Sequence, residues 1–125
     1  SRSSAASDVY KRQDLLMALN TGHEGGCGTV HANGVAEVPA RLEALAALGG
    51  LSREAASAQI TAALHTVIHV ERGERGRRVA EIGVFVDVEG RAVVLPAVRW
   101  DADGVMTLGD GAGRLSQLLG MEVAR

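Results

Sequence analysis

The spacing of apolar residues along this chain changes once, near Val67, from a helical repeat to a strand repeat. Upstream, Asp14 to Leu19 is an almost continuous apolar run stopped by Asn20 and Gly22, which reads as the end of a helix. From Glu37 to Leu48, Val38, Leu42 and Leu45 fall on one helical face, with Pro39 acceptable in the first turn and Gly49-Gly50 closing the element. Ser52 sits where the N-cap of a further helix belongs, and Glu54 complements its dipole. Ala56, Ile60, Ala63, Leu64 and Val67 form the stripe of that helix, although Val67 to Val70 also fits the start of a strand.

Beyond Arg77 the period is two. Ile82, Val84, Val86 and Val88 alternate with Glu81, Gly83, Phe85 and Asp87, the pattern of an amphipathic strand. Glu89-Gly90 is a hairpin turn, and Ala92 to Trp100 returns as the next strand, which Pro96 should place at an edge or kink. Asp101-Ala102-Asp103-Gly104 makes another turn before a short strand from Val105 to Leu108. A last amphipathic helix, Ala112 to Leu119, carries Leu115, Leu118 and Leu119 as a packing face. The expected class is α/β: a short strand and helices, then an antiparallel β-meander and a terminal helix. No internal repeat or interior linker divides it.

Composition narrows the function classes. At 125 residues and 46% hydrophobic, the chain supports one modest core. Phe85, Trp100 and Tyr10 are the whole aromatic set. Ala, Val and Leu must therefore build the core, at about 25 cal/mol per Å² of apolar area. A net charge of −2 and so few stacking rings argue against a nucleic-acid surface. No apolar run approaches the ~20 residues that cross a bilayer. The single cysteine, Cys27, excludes an intrachain disulfide and suits a reducing compartment.

Candidate chemistry concentrates between Thr21 and Asn33, which reads Thr-Gly-His-Glu-Gly-Gly-Cys-Gly-Thr-Val-His-Ala-Asn. Gly25, Gly26 and Gly28 let backbone N–H groups approach a ligand closely. Thr29 and Val30 suggest that the loop runs into a short strand ending at His31. A polar side chain at a strand end after a glycine loop is a common ligand contact in open sheets.

This segment resembles the histidine box of the secretion ATPases, the RecA-like motors of type II and type IV secretion and pilus assembly. The likeness rests on Ala18-Leu19-Asn20-Thr21-Gly22-His23 and on Thr29-Val30-His31-Ala32-Asn33. It extends from Asp14 through Arg41-Leu42-Glu43 and fades near Val84, and it is strongest toward the tight-adherence (Flp-type, CpaF-like) pilus branch. The resemblance implies that His31 is a donor near the nucleotide γ-phosphate and that His23 shapes the same loop. Gly22 and Thr29 would add nucleotide contacts, as would Arg77 or Arg78. It further implies ATP and Mg²⁺ as ligands of an intact parent. That parent would be a hexameric ring working at secretion or pilus platform proteins, on the cytoplasmic face of the inner membrane.

The phosphate-binding signature of that family, Gly-x-x-x-x-Gly-Lys-Ser/Thr, has no match here, since Lys11 is the only lysine and no glycine stands five residues before it. The acidic Walker B segment expected just upstream of Asp14 is missing too. Residues 14–125 therefore read as a C-terminal fragment of such an ATPase, inactive alone. Ser1 to Gln13 is Ser-rich at its start, without apolar periodicity, and reads as a non-native or disordered leader.

Other readings compete. His23, Cys27 and His31 have His-x₃-Cys-x₃-His spacing and could bind Zn²⁺ with Glu24 as a fourth ligand. The intervening glycines, at ~1 kcal/mol each, disfavour the helix that would align them. A small metal- or thiol-dependent module, or a structural domain whose glycine loop is only a turn, are the alternatives. Glu71 to Arg78, Glu-Arg-Gly-Glu-Arg-Gly-Arg-Arg, reads as a solvated hairpin tip. His65 and His69 lack matching partners and read as boundary residues.

Overall fold

In the computed structural model, which describes residues 28–123, two helices come first. Helix α1 (Val38–Leu48) carries Pro39 in its first turn and stops at Gly49-Gly50, where Gly50 takes φ +86°. Its buried side is Val38, Pro39, Leu42 and Ala46, so the inward face turns slightly away from half-buried Leu45. Helix α2 (Arg53–Ala63) begins at Ser52, whose Oγ accepts the Ala55 N–H at 3.2 Å, and buries Ala56, Ser57 and Ile60. Leu64 is already extended, so the helical stripe stops at Ala63 and Val67 belongs to the sheet. Glu43 ties the helices together, accepting Ser57 Oγ–H at 3.3 Å and Arg53 Nε–H at 3.4 Å.

Four strands follow as an antiparallel meander in the order β1-β2-β3-β4. They are β1 (Thr66–Gly73), β2 (Gly76–Val88), β3 (Arg91–Trp100) and β4 (Met106–Leu108), with α3 (Ala112–Leu119) after them. Glu89 and Gly90 take φ 52° and 82°, the left-handed pair that a tight two-residue hairpin requires, and Asp87 Oδ1 accepts the Gly90 N–H at 2.8 Å. The Asp101 turn is closed by its own carboxylate, which accepts the Asp103 and Val105 N–H groups, both at 2.9 Å.

Both faces of the sheet are covered. Phe85, Ala92 and Val94 pack with Val35 and the two helices, while Val84, Ala97 and Val98 pack with Leu115 of α3. Strand β2 is therefore not amphipathic as expected: Gly83, Val84 and Phe85 are all buried in sequence. The short α3 fits because its approach is made of glycine. Gly109 and Gly111 donate to the carbonyls of Ala97 and Pro96, each at 2.9 Å, and a Cβ on Gly111 would stand 2.6 Å from the Leu95 carbonyl oxygen.

Three expectations change in detail. Thr29 to His31 is not a strand, because among the described residues no neighbouring strand supplies a ladder there. Of the two alternatives for Pro96, the edge is ruled out because β3 has neighbours on both sides, and the kink takes the form of a bulge where the register steps from Ile82↔Val98 to Gly83↔Pro96. The Glu71–Arg78 stretch is paired strand up to Gly73↔Gly76, leaving only Glu74 and Arg75 as the tip. The helix read over Asp14 to Leu19 and the leader Ser1 to Gln13 lie outside the described residues.

Candidate functional site

The segment after the glycine loop packs half-buried Val30 and Ala32 against the helical core and enters a 3-10 turn, Val35–Glu37, before α1. Its backbone is held by three side chains from three different places. Arg41 of α1 donates its Nε–H to the His31 carbonyl at 2.9 Å. Glu37 accepts the Asn33 N–H at 3.2 Å. From the sheet, Glu81 accepts the Val35 N–H at 3.1 Å, beside the fully buried Val35 side chain. With main chain fixed in this way, the side chains of Thr29, His31 and Asn33 are exposed.

Behind this segment lies an open cleft of about 340 Å³, lined by the 33–37 turn and by His69, Glu71, Glu81 and Arg99. The Glu81 carboxylate is its one deeply buried charge, with 9% side-chain exposure. Its Oε2 accepts from Arg99 Nε at 3.0 Å and Nη2 at 2.6 Å, a two-pronged charge-assisted pair. His69 Nε2 stands 3.7 Å from Glu71, which also receives Arg78 at 3.1 Å.

The residues singled out from sequence are only partly united. Gly22, His23, Glu24 and Cys27 lie outside the described residues. His31 and Thr29 are exposed on the held segment, whereas Arg77 and Arg78 stand on β2 beside its hairpin with β1. Arg78 is occupied there, donating to the carbonyls of Trp100 and Asp101 at 3.2 and 2.9 Å as well as to Glu71. Arg77 is exposed and directly opposite Arg72. Among the described residues no group of His, Cys, Asp or Glu gathers as metal ligands do, and no helix is long and apolar enough to cross a membrane.

Sequence reasoning missed the residues that hold the segment: Arg41, Glu37 and above all Glu81 with Arg99. A signal existed for Glu81, a charge inside the apolar run from Val79 to Val88. The alternation put it on an outer face; the helices cover that face.

Comparison with known proteins agrees with the likeness to the secretion-system family. A conjugal transfer protein of Mycobacterium tuberculosis, so named provisionally, is 54% identical over 107 residues, which are 85% of this chain and 29% of that protein. The conjugal transfer protein TrbB of Rhizobium radiobacter is 38% identical over 76 residues, 61% of this chain and 22% of its own length. The chain thus spans less than a third of the curated relatives it matches. The family described as type II/IV secretion system protein matches residues 11–106, well past the point near Val84 where the motif likeness fades. With the match running from before the glycine loop to the start of β4, the chain belongs to the type II/IV secretion system protein family.

Proposed function

We propose that this chain is the C-terminal part of the RecA-like domain of an ATP-hydrolysing motor, and that it contributes His31 to the nucleotide site of the intact protein. The observation that carries the reading is the fixed backbone of residues 31–37 beneath an exposed imidazole, in a chain of this family. A donor held by its main chain meets developing charge without reorganising, which is where preorganised contacts matter. A neutral imidazole can donate at physiological pH.

The residues of this chain do not by themselves fit ATP and Mg²⁺. The sequence has no glycine-rich amide cradle followed by lysine, so the phosphates must be held by residues of the parent outside this chain. The chain alone is accordingly proposed to be inactive. His23 would act through loop shape, with Gly22 and Thr29 as neighbouring contacts. Arg78 has a structural role through Glu71, Trp100 and Asp101, whereas exposed Arg77 stays a candidate for phosphate or a neighbouring subunit.

The names of the relatives favour a conjugal-transfer machine, and the family a secretion machine. A tight-adherence pilus motor is the second reading, supported by the run from Ala18 to Asn33. In either case the parent would form a hexameric ring against platform proteins at the cytoplasmic face of the inner membrane.

Steady-state ATPase assays on the full-length parent test this. His31→Ala should lower kcat by roughly 10- to 1,000-fold, the scale of one lost preorganised donor, with ADP affinity little altered. Wild-type turnover from a folded, assembled His31→Ala ring would remove His31 from the site.

A further inference from the structure

The least expected buried side chain among the described residues is the Glu81 carboxylate. Among the described residues only Ser57 and Glu81 are buried polar or charged residues. Burying a carboxylate is costly unless its oxygens are satisfied, and here each oxygen has a separate partner. Oε2 takes the Arg99 fork from the neighbouring strand, and Oε1 takes the Val35 N–H, 46 residues away in sequence. The Arg99 side chain itself is 64% exposed, so the pair is anchored from the solvent side while its carboxylate points into the turn.

The sheet is deformed on both sides of this residue. The β1–β2 register steps from His69↔Glu81 to Val70↔Val79, leaving Ala80 as the extra residue. The β2–β3 register steps from Ile82↔Val98 to Gly83↔Pro96, leaving Ala97 extra. Two bulges therefore bracket the Glu81↔Arg99 pair, one on each strand. Bulges re-aim side chains and gather beside functional sites.

We propose that Glu81 is a positioning residue: through the Val35 N–H it holds the 33–37 turn against the sheet and so, with Arg41 on the His31 carbonyl, sets where the His31 imidazole stands. Its consequence for turnover rests on the nucleotide reading above; the hold itself does not. Glu81→Ala removes the acceptor of the Val35 N–H. Glu81→Gln keeps a carbonyl for that N–H but sets an amide donor against the Arg99 fork, so it should rescue the hold in large part.

The test uses the full-length parent with two readouts. Amide hydrogen exchange across residues 31–37 should speed up roughly 10- to 100-fold at Val35 in Glu81→Ala, the scale of one lost charge-assisted hydrogen bond. Glu81→Gln should stay near wild type, and exchange in β2 and β3 should change little. In the ATPase assay Glu81→Ala should lower kcat about 10-fold or more with KM nearly unchanged, since a misplaced group loses rate more than binding. Added to His31→Ala it should cost little further, because both act through one contact. Unchanged exchange at Val35 in Glu81→Ala overturns the proposal; should the alanine variant fail to fold, Glu81→Met, which also removes the acceptor but fills the space, is read in its place, and unchanged exchange there overturns it equally. Faster exchange together with full additivity to His31→Ala overturns the link to His31. Wild-type turnover by His31→Ala alone, with faster exchange in Glu81→Ala, overturns the nucleotide reading and leaves the hold standing.

Discussion

The two faces of the sheet are covered by layers of very different weight. On one side, two eleven-residue helices and the Val35 turn close over Phe85, Ala92 and Val94, and Val35, Ala46, Ala56 and Ile60 lose all exposure. On the other, a single eight-residue helix inserts Leu115 over Val84 and Val98 and leaves Ile68, Val70, Met106 and Leu108 between 42% and 58% exposed. The candidate site stands on the heavy side, where packing fixes Val35 and Glu81 together. The light side has no such constraint and holds none of the residues that fix the segment.

That contrast can be broken experimentally. The largest effect should come from Ile60→Ala, about 2–5 kcal/mol of lost stability, because the helical layer around it has no room to collapse. Leu115→Ala should fall at the low end of the same range, since partly exposed Leu118 and Leu119 can shift toward the gap. Urea unfolding of the two variants measures this, and a larger loss at Leu115 would reverse the comparison.

Gly83→Ala should cost about 1–3 kcal/mol by overpacking. Its Cβ would stand 2.5 Å from Val94 Cγ1 and 3.1 Å from Val35 Cγ2, so the strain reaches the turn that carries the site. Faster amide exchange at Val35 should accompany the loss of stability. The smallest effect belongs to the light side: Ile68→Thr, at an edge-strand position 58% exposed, should change stability by less than about 0.5 kcal/mol. A loss of several kcal/mol there would mean that the open face is covered in the intact protein.

How much of this was legible follows from which forces act locally. Ser52 as a cap, Gly49-Gly50 as a stop, Glu89-Gly90 as a tight turn and the α3 limits depend on near neighbours and were readable from sequence. Strand β2 was placed correctly, but its two-sided burial depends on which helix lands on which face. Pro96 was read as an edge or a kink; the bulge that accommodates it in an inner strand comes from pairing with β2. The strand expected at Thr29 to His31 failed because propensity supplies no partner ladder. At the site, His31 and Thr29 came from a local motif, while Glu81 and Arg99 were out of reach because their role needs a contact across 46 residues. For His23 and Cys27, which lie outside the described residues, the sequence reading stands alone.

The central claim is that a fixed main chain presents His31 to the nucleotide of the intact motor. The most direct measurement is the structure of the full-length protein with a non-hydrolysable ATP analogue and Mg²⁺, compared with its ADP complex. The account expects a His31 imidazole nitrogen at about 2.7–3.2 Å from a γ-phosphate oxygen, with the Val35–Glu81 bond intact and no equivalent contact in the ADP state. A γ-phosphate fully coordinated by other residues, with the His31 imidazole in solvent or hydrogen-bonded elsewhere in both states, would contradict it.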